Sequence, residues 1–181
     1  MLWRLSHRAH PFARDIADRH YNRQKVGAAQ FVPPGRCVVL TAETATGRAL
    51  WVTSWPFAEY VKHEWAGAWV CSAFRNEGAA VAGDLIWDAL KATRRMFGDP
   101  PPLGLVTFID RSEVRPFRTR DPWARIVFGG DLYGVTWMRR GFRVIGETKS
   151  GLLALGIRPE DIPEAAAPVG MQHSLFGDAI W

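Results

Sequence analysis

Long hydrophobic runs are missing from this sequence. Nowhere in its 181 residues do about eighteen apolar residues follow one another, so no membrane-spanning helix is expected. The opening Met1-Leu2-Trp3-Arg4-Leu5-Ser6-His7-Arg8 lacks the apolar core of a secretion signal, and a cytoplasmic protein is expected. Cysteine is scarce: Cys37 and Cys71 both fall in strand-like runs and read as buried and reduced rather than as a metal pair or a disulfide. Internal repeats are absent. After Pro159 no core-building pattern remains, only Glu, Ala and Pro, which divides the chain into a domain over 1–158 and a tail over 159–181.

What is present suits one domain with a real core, at 48% hydrophobic residues. The net charge of +5 is largely arginine. That excess fits an anionic partner such as nucleic acid, and it is equally what a GC-rich genome produces without one.

One junction organises the chain. The run Ala68-Trp69-Val70-Cys71-Ser72-Ala73-Phe74 has the length and composition of a strand. It leads through Arg75-Asn76-Glu77-Gly78-Ala79-Ala80 into a helical period, with Val81, Ala82, Leu85, Ile86, Ala89, Leu90 and Thr93 on one face. A small-residue loop entering a helix leaves backbone N–H groups free where the helix dipole favours an anion. The helix is stopped by Gly98 and the Pro100–Pro102 run. Leu103–Asp110 then reads as a buried strand ending in a carboxylate, and a right-handed crossover sets it parallel to Ala68–Phe74. That topology puts Asp110 on the same sheet edge as the Arg75–Ala80 loop, where open α/β sheets bind ligands.

The flanking chain reads in order as follows. Pro11–Tyr21 is a short helix beginning with proline, and Asn22–Gly35 is a loop. Arg36–Ala42 and Ala49–Trp55 form a hairpin around Gly47. The stretch Phe57–Trp65 fits a short helix or an irregular insertion. A second helix is expected near Asp131–Arg140, ending at Gly141. Phe142–Lys149 and Leu152–Ile157 are short strands meeting at Ser150-Gly151. The fold class is α/β, or α+β with a mixed sheet. Trp3, Trp51, Trp55, Trp65 and Trp69 read as core and sheet packing.

Arg75-Asn76-Glu77-Gly78-Ala79-Ala80 resembles the pyrophosphate-binding pattern of the GCN5-related N-acetyltransferase (GNAT) fold, and Trp137-Met138-Arg139-Arg140-Gly141-Phe142 resembles that family's recurring tyrosine and Gly-Phe segment. The order of elements is similar from about Ala68 to Ile157. The resemblance implies a central mixed sheet flanked by helices, acetyl-CoA or a related coenzyme A thioester as cofactor, and Arg75, Asn76, Gly78, Ala79 and Ala80 as its cradle. Trp137 departs from the family, because it stands where many members carry a thiolate-protonating tyrosine; Tyr133 is the nearest substitute. His20-Tyr21, Arg75 and Asp110, in that order on a basic chain, resemble a Mom-type phage branch of the fold. That likeness implies carbamoylmethylation of adenine N6 in DNA as protection from restriction, with His20, Tyr21 and Asp110 as catalytic residues. Two other functions stay open: an acetyl-CoA-dependent acetyltransferase of a small amine or protein, and a non-catalytic DNA- or clamp-binding module.

Each candidate carries an ordinary reading beside the functional one. His20 takes a proton near neutral pH or is a surface histidine; Tyr21 stacks on a base or fills the core. Asp110 orients an amine or caps its own strand end. Arg75 holds phosphate or makes an ion pair, and Glu77 is a site acid or a loop residue. His20 and Asp110 alone are too few ligands to assign a metal. Arg111, Arg115, Arg118, Arg120 and Arg125, with Phe117 and Trp123, track a nucleic-acid strand or form a solvated loop. Gln172-His173-Ser174-Leu175-Phe176 resembles the motif by which bacterial proteins dock on the replication sliding clamp; otherwise Leu175 and Phe176 fold back on the domain.

Overall fold

The computed structural model describes residues 2–20, 26–118 and 131–165. Tyr21, Arg120, Trp123, Arg125 and the Gln172–Phe176 segment lie outside the described residues. Seven strands form one mixed sheet in the order β1-β2-β3-β4-β5-β9-β8. These are β1 (Arg4–Ser6), β2 (Gly35–Thr44), β3 (Gly47–Pro56), β4 (Trp69–Glu77), β5 (Leu105–Ile109), β8 (Arg143–Glu147) and β9 (Leu153–Ile157). A separate ribbon pairs β6 (Phe117–Arg118) with β7 (Asp131–Leu132). The helices are α1 (Pro11–Asp18), α2 (Ala82–Phe97) and α3 (Val135–Met138).

Sequence pattern explains the layering. Strand β3 is buried from Ala49 to Ser54 because both its faces are covered. Leu50 and Val52 meet Ala13, Ile16 and Ala17 of α1, whereas Ala49 and Trp51 meet Leu85, Ile86, Ala89 and Leu90 of α2 on the other face. The helical face read from the sequence is thus the one α2 buries, except at Val81, which precedes the helix and is exposed, and at Ala82, which is half-buried. Thr93, on that face, closes a buried group with the Trp51 indole N–H and the Thr53 hydroxyl. The polar atoms of this group satisfy one another, so their hydrogen bonds offset the cost of removing them from water.

The expected hairpin and the parallel crossover both form. Strands β2 and β3 pair antiparallel from Gly35↔Pro56 to Thr44↔Gly47. Strands β4 and β5 pair parallel, but only through Trp69↔Leu105, Val70↔Val106 and Cys71↔Thr107. Beyond Cys71 the two strands part, β4 continuing along β3 and β5 along β9.

Several expectations need correction. Strand β1 went unread: it is three residues long at a sheet edge, with Leu5 exposed. The helix expected over Asp131–Arg140 is one turn, Val135–Met138, because Asp131–Leu132 pairs with β6 and Gly134 enters the helix with φ +74°. Of the two readings left open for Phe57–Trp65, the irregular insertion holds, with a 3-10 turn at Ala58–Tyr60. The packed domain also runs past 158, since Ile162 is buried in the main core and its carbonyl accepts from the Arg94 guanidinium at 2.8 Å.

Gly104 leads into β5 where its pairing with β4 begins, at the end away from the parting. Its φ is +63°, and a Cβ there would stand 2.0 Å from the Ile157 carbonyl oxygen, while its own carbonyl accepts from Trp69 N–H at 2.9 Å. Gly104→Ala is therefore expected to lower unfolding free energy by about 1–3 kcal/mol, read from denaturant melts. An unchanged midpoint would show that this close approach carries no strain.

Candidate functional site

The parting of β4 from β5 opens a cavity of about 440 Å³, within the range of small-molecule sites. Cys71–Phe74 of β4 and Thr107–Ile109 of β5 form opposite walls, Val114–Phe117 and Gly134–Trp137 close the mouth, and His20 and Arg139 complete the lining. Trp137 stacks among Trp51, Phe74 and Phe142, with ring centroids 4.9–5.8 Å apart, so it walls the cavity with aromatic surface anchored in the core. A second groove of about 460 Å³ adjoins it through Ala82, Thr136 and Arg139 and reaches Val81, Gly83 and Arg140.

This groove lies at the N-terminus of α2, whose N-cap Val81 makes no side-chain capping bond. The first N–H groups of such a helix face outward with the positive end of its dipole. Arg140 lies against Gly83, where a Cβ would stand 2.9 Å from its Nε, and its guanidinium pairs with Asp84. The backbone amides at Ala82 and Gly83, with Arg139 and Arg140, suit a pyrophosphate.

The cradle expected one step earlier is differently engaged. Asn76 ties its own loop, accepting from Ala79 N–H at 3.0 Å and donating to the Ala80 carbonyl at 2.8 Å. The Gly78 and Ala79 carbonyls accept from Thr46 and Thr44 of the β2–β3 turn, and Gly78 takes φ +87°. Neither Arg75, Asn76, Gly78, Ala79 nor Ala80 lines the two cavities. The Arg75 guanidinium is turned to Glu77 at 2.7 Å and to the Arg19 carbonyl at 2.5 Å.

Glu77 gathers three guanidiniums. Arg19 donates to it at 2.8 and 3.1 Å, Arg48 at 2.8 Å and Arg75 at 2.7 Å, while Asp15 pairs with Arg19 and Arg48. The hydrogen bonds from Arg19, then Arg75 and Arg48, outweigh burial and hold the Glu77 carboxyl down at about 2. This cluster joins the end of α1 to β3 and β4, directly beside His20.

His20 is buried at the cavity wall. Burial, reinforced by the Arg75 charge, pushes its ring down to about 4, against the opposing effect of its hydrogen bond to the Phe74 backbone. Its ring is therefore neutral at neutral pH. Asp110 behaves as a strand-end cap: its carboxylate accepts from the Ser112 hydroxyl at 2.6 Å and the Ser112 N–H at 2.9 Å, which lowers its pKa. It is not among the residues lining the His20 cavity, nor is Tyr133, which packs against the main core ahead of α3. Arg111 is paired with Glu147. Among the described residues no cluster of three or more His, Cys, Asp or Glu is placed to hold a metal, and Cys71, buried, has its thiol pKa raised. Arg139 and Arg140 were visible in the sequence only as part of the Gly-Phe segment. No local pattern announces their position beside α2.

No match emerges when the chain is compared with protein-family models, curated proteins and solved structures. Among the described residues no helix is long and apolar enough to cross a membrane.

Two outcomes follow from His20 and from the Glu77 cluster. The unfolded chain protonates His20 near pH 6.5 and the folded chain only near 4, so stability is full above the first value and falls as pH drops to the second. The loss is about 3 kcal/mol; His63, also lowered by burial, adds to the same slope. Denaturant melts between these pH values should show the slope in the natural chain and, in His20→Gln, only the smaller remainder from His63 and from the lowered carboxyls of Glu77, Asp15 and Asp110. Equal slopes would contradict the buried placement. Separately, Glu77→Gln should cost more than the ~1 kcal/mol of a single exposed ion pair, because one carboxylate serves three guanidiniums; a smaller loss would mean the cluster is solvent-screened.

Proposed function

We propose that this chain is a GNAT-like transferase of the Mom type, using a coenzyme A thioester and modifying an exocyclic base amine in DNA, with adenine N6 the expected target. The observation that carries this reading is the parting of β4 from β5 around the His20 cavity, continuous with the groove at the N-terminus of α2. The hairpin, crossover helix and parallel strand also follow in the order the resemblance implies. The open cavity weighs against a purely non-catalytic module.

A coenzyme A thioester, when bound, supplies the activated group. The backbone at Ala82 and Gly83, with Arg139 and Arg140, would hold its pyrophosphate. Phe74, Phe108, Phe117 and Trp137 offer flat surfaces on which a base stacks. Transfer to an amine nitrogen would break the thioester C–S bond as the C–N bond forms. The neutral His20 ring at the wall would accept the proton that nitrogen loses as charge develops on it, and that proton would pass through solvent to the departing thiolate, which leaves as the thiol. A base within a duplex is out of reach of this cavity, so it enters flipped or single-stranded. Arg115 at the mouth suits a phosphate beside the flipped base. Docking on the sliding clamp through Gln172–Phe176 belongs to the same proposal and would bring the enzyme to DNA.

Mass spectrometry of nucleosides from the DNA of cells producing the protein tests this. A modified adenine should appear, and His20→Gln should reduce it by about a hundredfold or more. Unmodified DNA, or an adduct indifferent to His20, would overturn the reading.

A further inference from the structure

We propose that the cavity selects its acceptor by charge, admitting a flat, uncharged aromatic amine and rejecting an alkylammonium ion. The proposal deepens the transferase reading and rests on it, since it concerns the same cavity.

Two guanidiniums, Arg115 and Arg139, line the mouth, and both residues are exposed. Arg139 lies 5.7 Å from the centroid of the Phe117 ring, so that ring already carries a cation. Farther in, the walls are Phe74, Phe108 and Trp137. Among the described residues no carboxylate lines the cavity. An alkylammonium entering it would shed water, gain no counter-charge and approach two like charges. A heteroaromatic amine is uncharged at neutral pH and exchanges water for ring stacking.

The buried histidine reinforces the choice. An alkylammonium must lose a proton before its nitrogen can attack, and His20, held near 4 by burial, is too weak a base to remove it at neutral pH. An aromatic amine arrives with its lone pair unprotonated and releases its proton only as the new bond forms. The acceptor is therefore chosen twice, at the mouth and at the wall.

The test uses the full chain labelled with ¹⁵N-histidine, with the His20 ring resonance followed as adenosine or butylammonium chloride is added at low salt. Adenosine should shift the signal and butylammonium at equal concentration should not. Replacing Arg115 and Arg139 together by glutamine should narrow the difference in apparent affinity by about tenfold, with a smaller effect at high salt. If the double variant does not fold, Arg115→Gln alone should show the same change in lesser degree. A response to butylammonium equal to that for adenosine, or no response to either, overturns the proposal. Coenzyme A is titrated separately: its failure to bind defeats the transferase reading, while charge selection is still judged from the two amines.

Discussion

Three residue pairs hold the two halves of this sheet together, and the rest of the molecule depends on where they stop. Trp69, Val70 and Cys71 pair with Leu105, Val106 and Thr107, and then the strands part. Each half has its own continuing partner, β3 for β4 and β9 for β5, so parting leaves neither strand alone and the cost in unmatched backbone is confined to one edge of each. A continuous parallel sheet would have filled this space with ladder hydrogen bonds. The divergence instead makes a walled space at the carboxyl end of two parallel strands, beside the N-terminus of the crossover helix, where backbone dipoles favour an anion.

The charges around the opening serve different purposes according to their surroundings. Arg19, Arg48 and Arg75 converge on Glu77 and fasten α1 to the sheet, and Arg75 also reaches the carbonyl of the residue preceding His20. This fixes an imidazole at the cavity wall that burial, reinforced by the nearby Arg75 charge, keeps neutral. Arg139 and Arg140, at the far side, lie where the helix begins. An arginine in the expected phosphate-binding pattern thus acts as a brace, and arginines outside it stand at the helix end.

Much of the fold was legible because its longest elements carry strong periodicity. The strand, loop, helix and strand from Ala68 to Ile109 bury most of the residues that the pattern assigned, Val81 and Ala82 at the helix start excepted, and Cys37–Ala42 pairs with Ala49–Ser54 as alternation and turn chemistry required. What escaped was short or decided by tertiary contact. Strand β1 is held by pairing with β2 rather than by its own composition, and α3 is cut to one turn by a ribbon pairing across a long gap in sequence. For the site, the sheet edge was readable; His20 lies at its wall, but buried and neutral rather than at the surface or titrating near neutral pH. The engagement of Arg75 by Glu77 depends on Arg19 and Arg48, which are distant in sequence, and the capping role of Asp110 depends on a loop conformation.

The most direct test of the account is an amide chemical-shift map of the chain titrated with coenzyme A. The account predicts saturable changes at Val81–Gly83, Thr136, Arg139 and Arg140 and along Ser72–Phe74, the two walls made by the helix start and the parted strand. Changes confined to surfaces away from both, or none at millimolar ligand, would contradict the claim that the divergence of β4 and β5 builds a cofactor site.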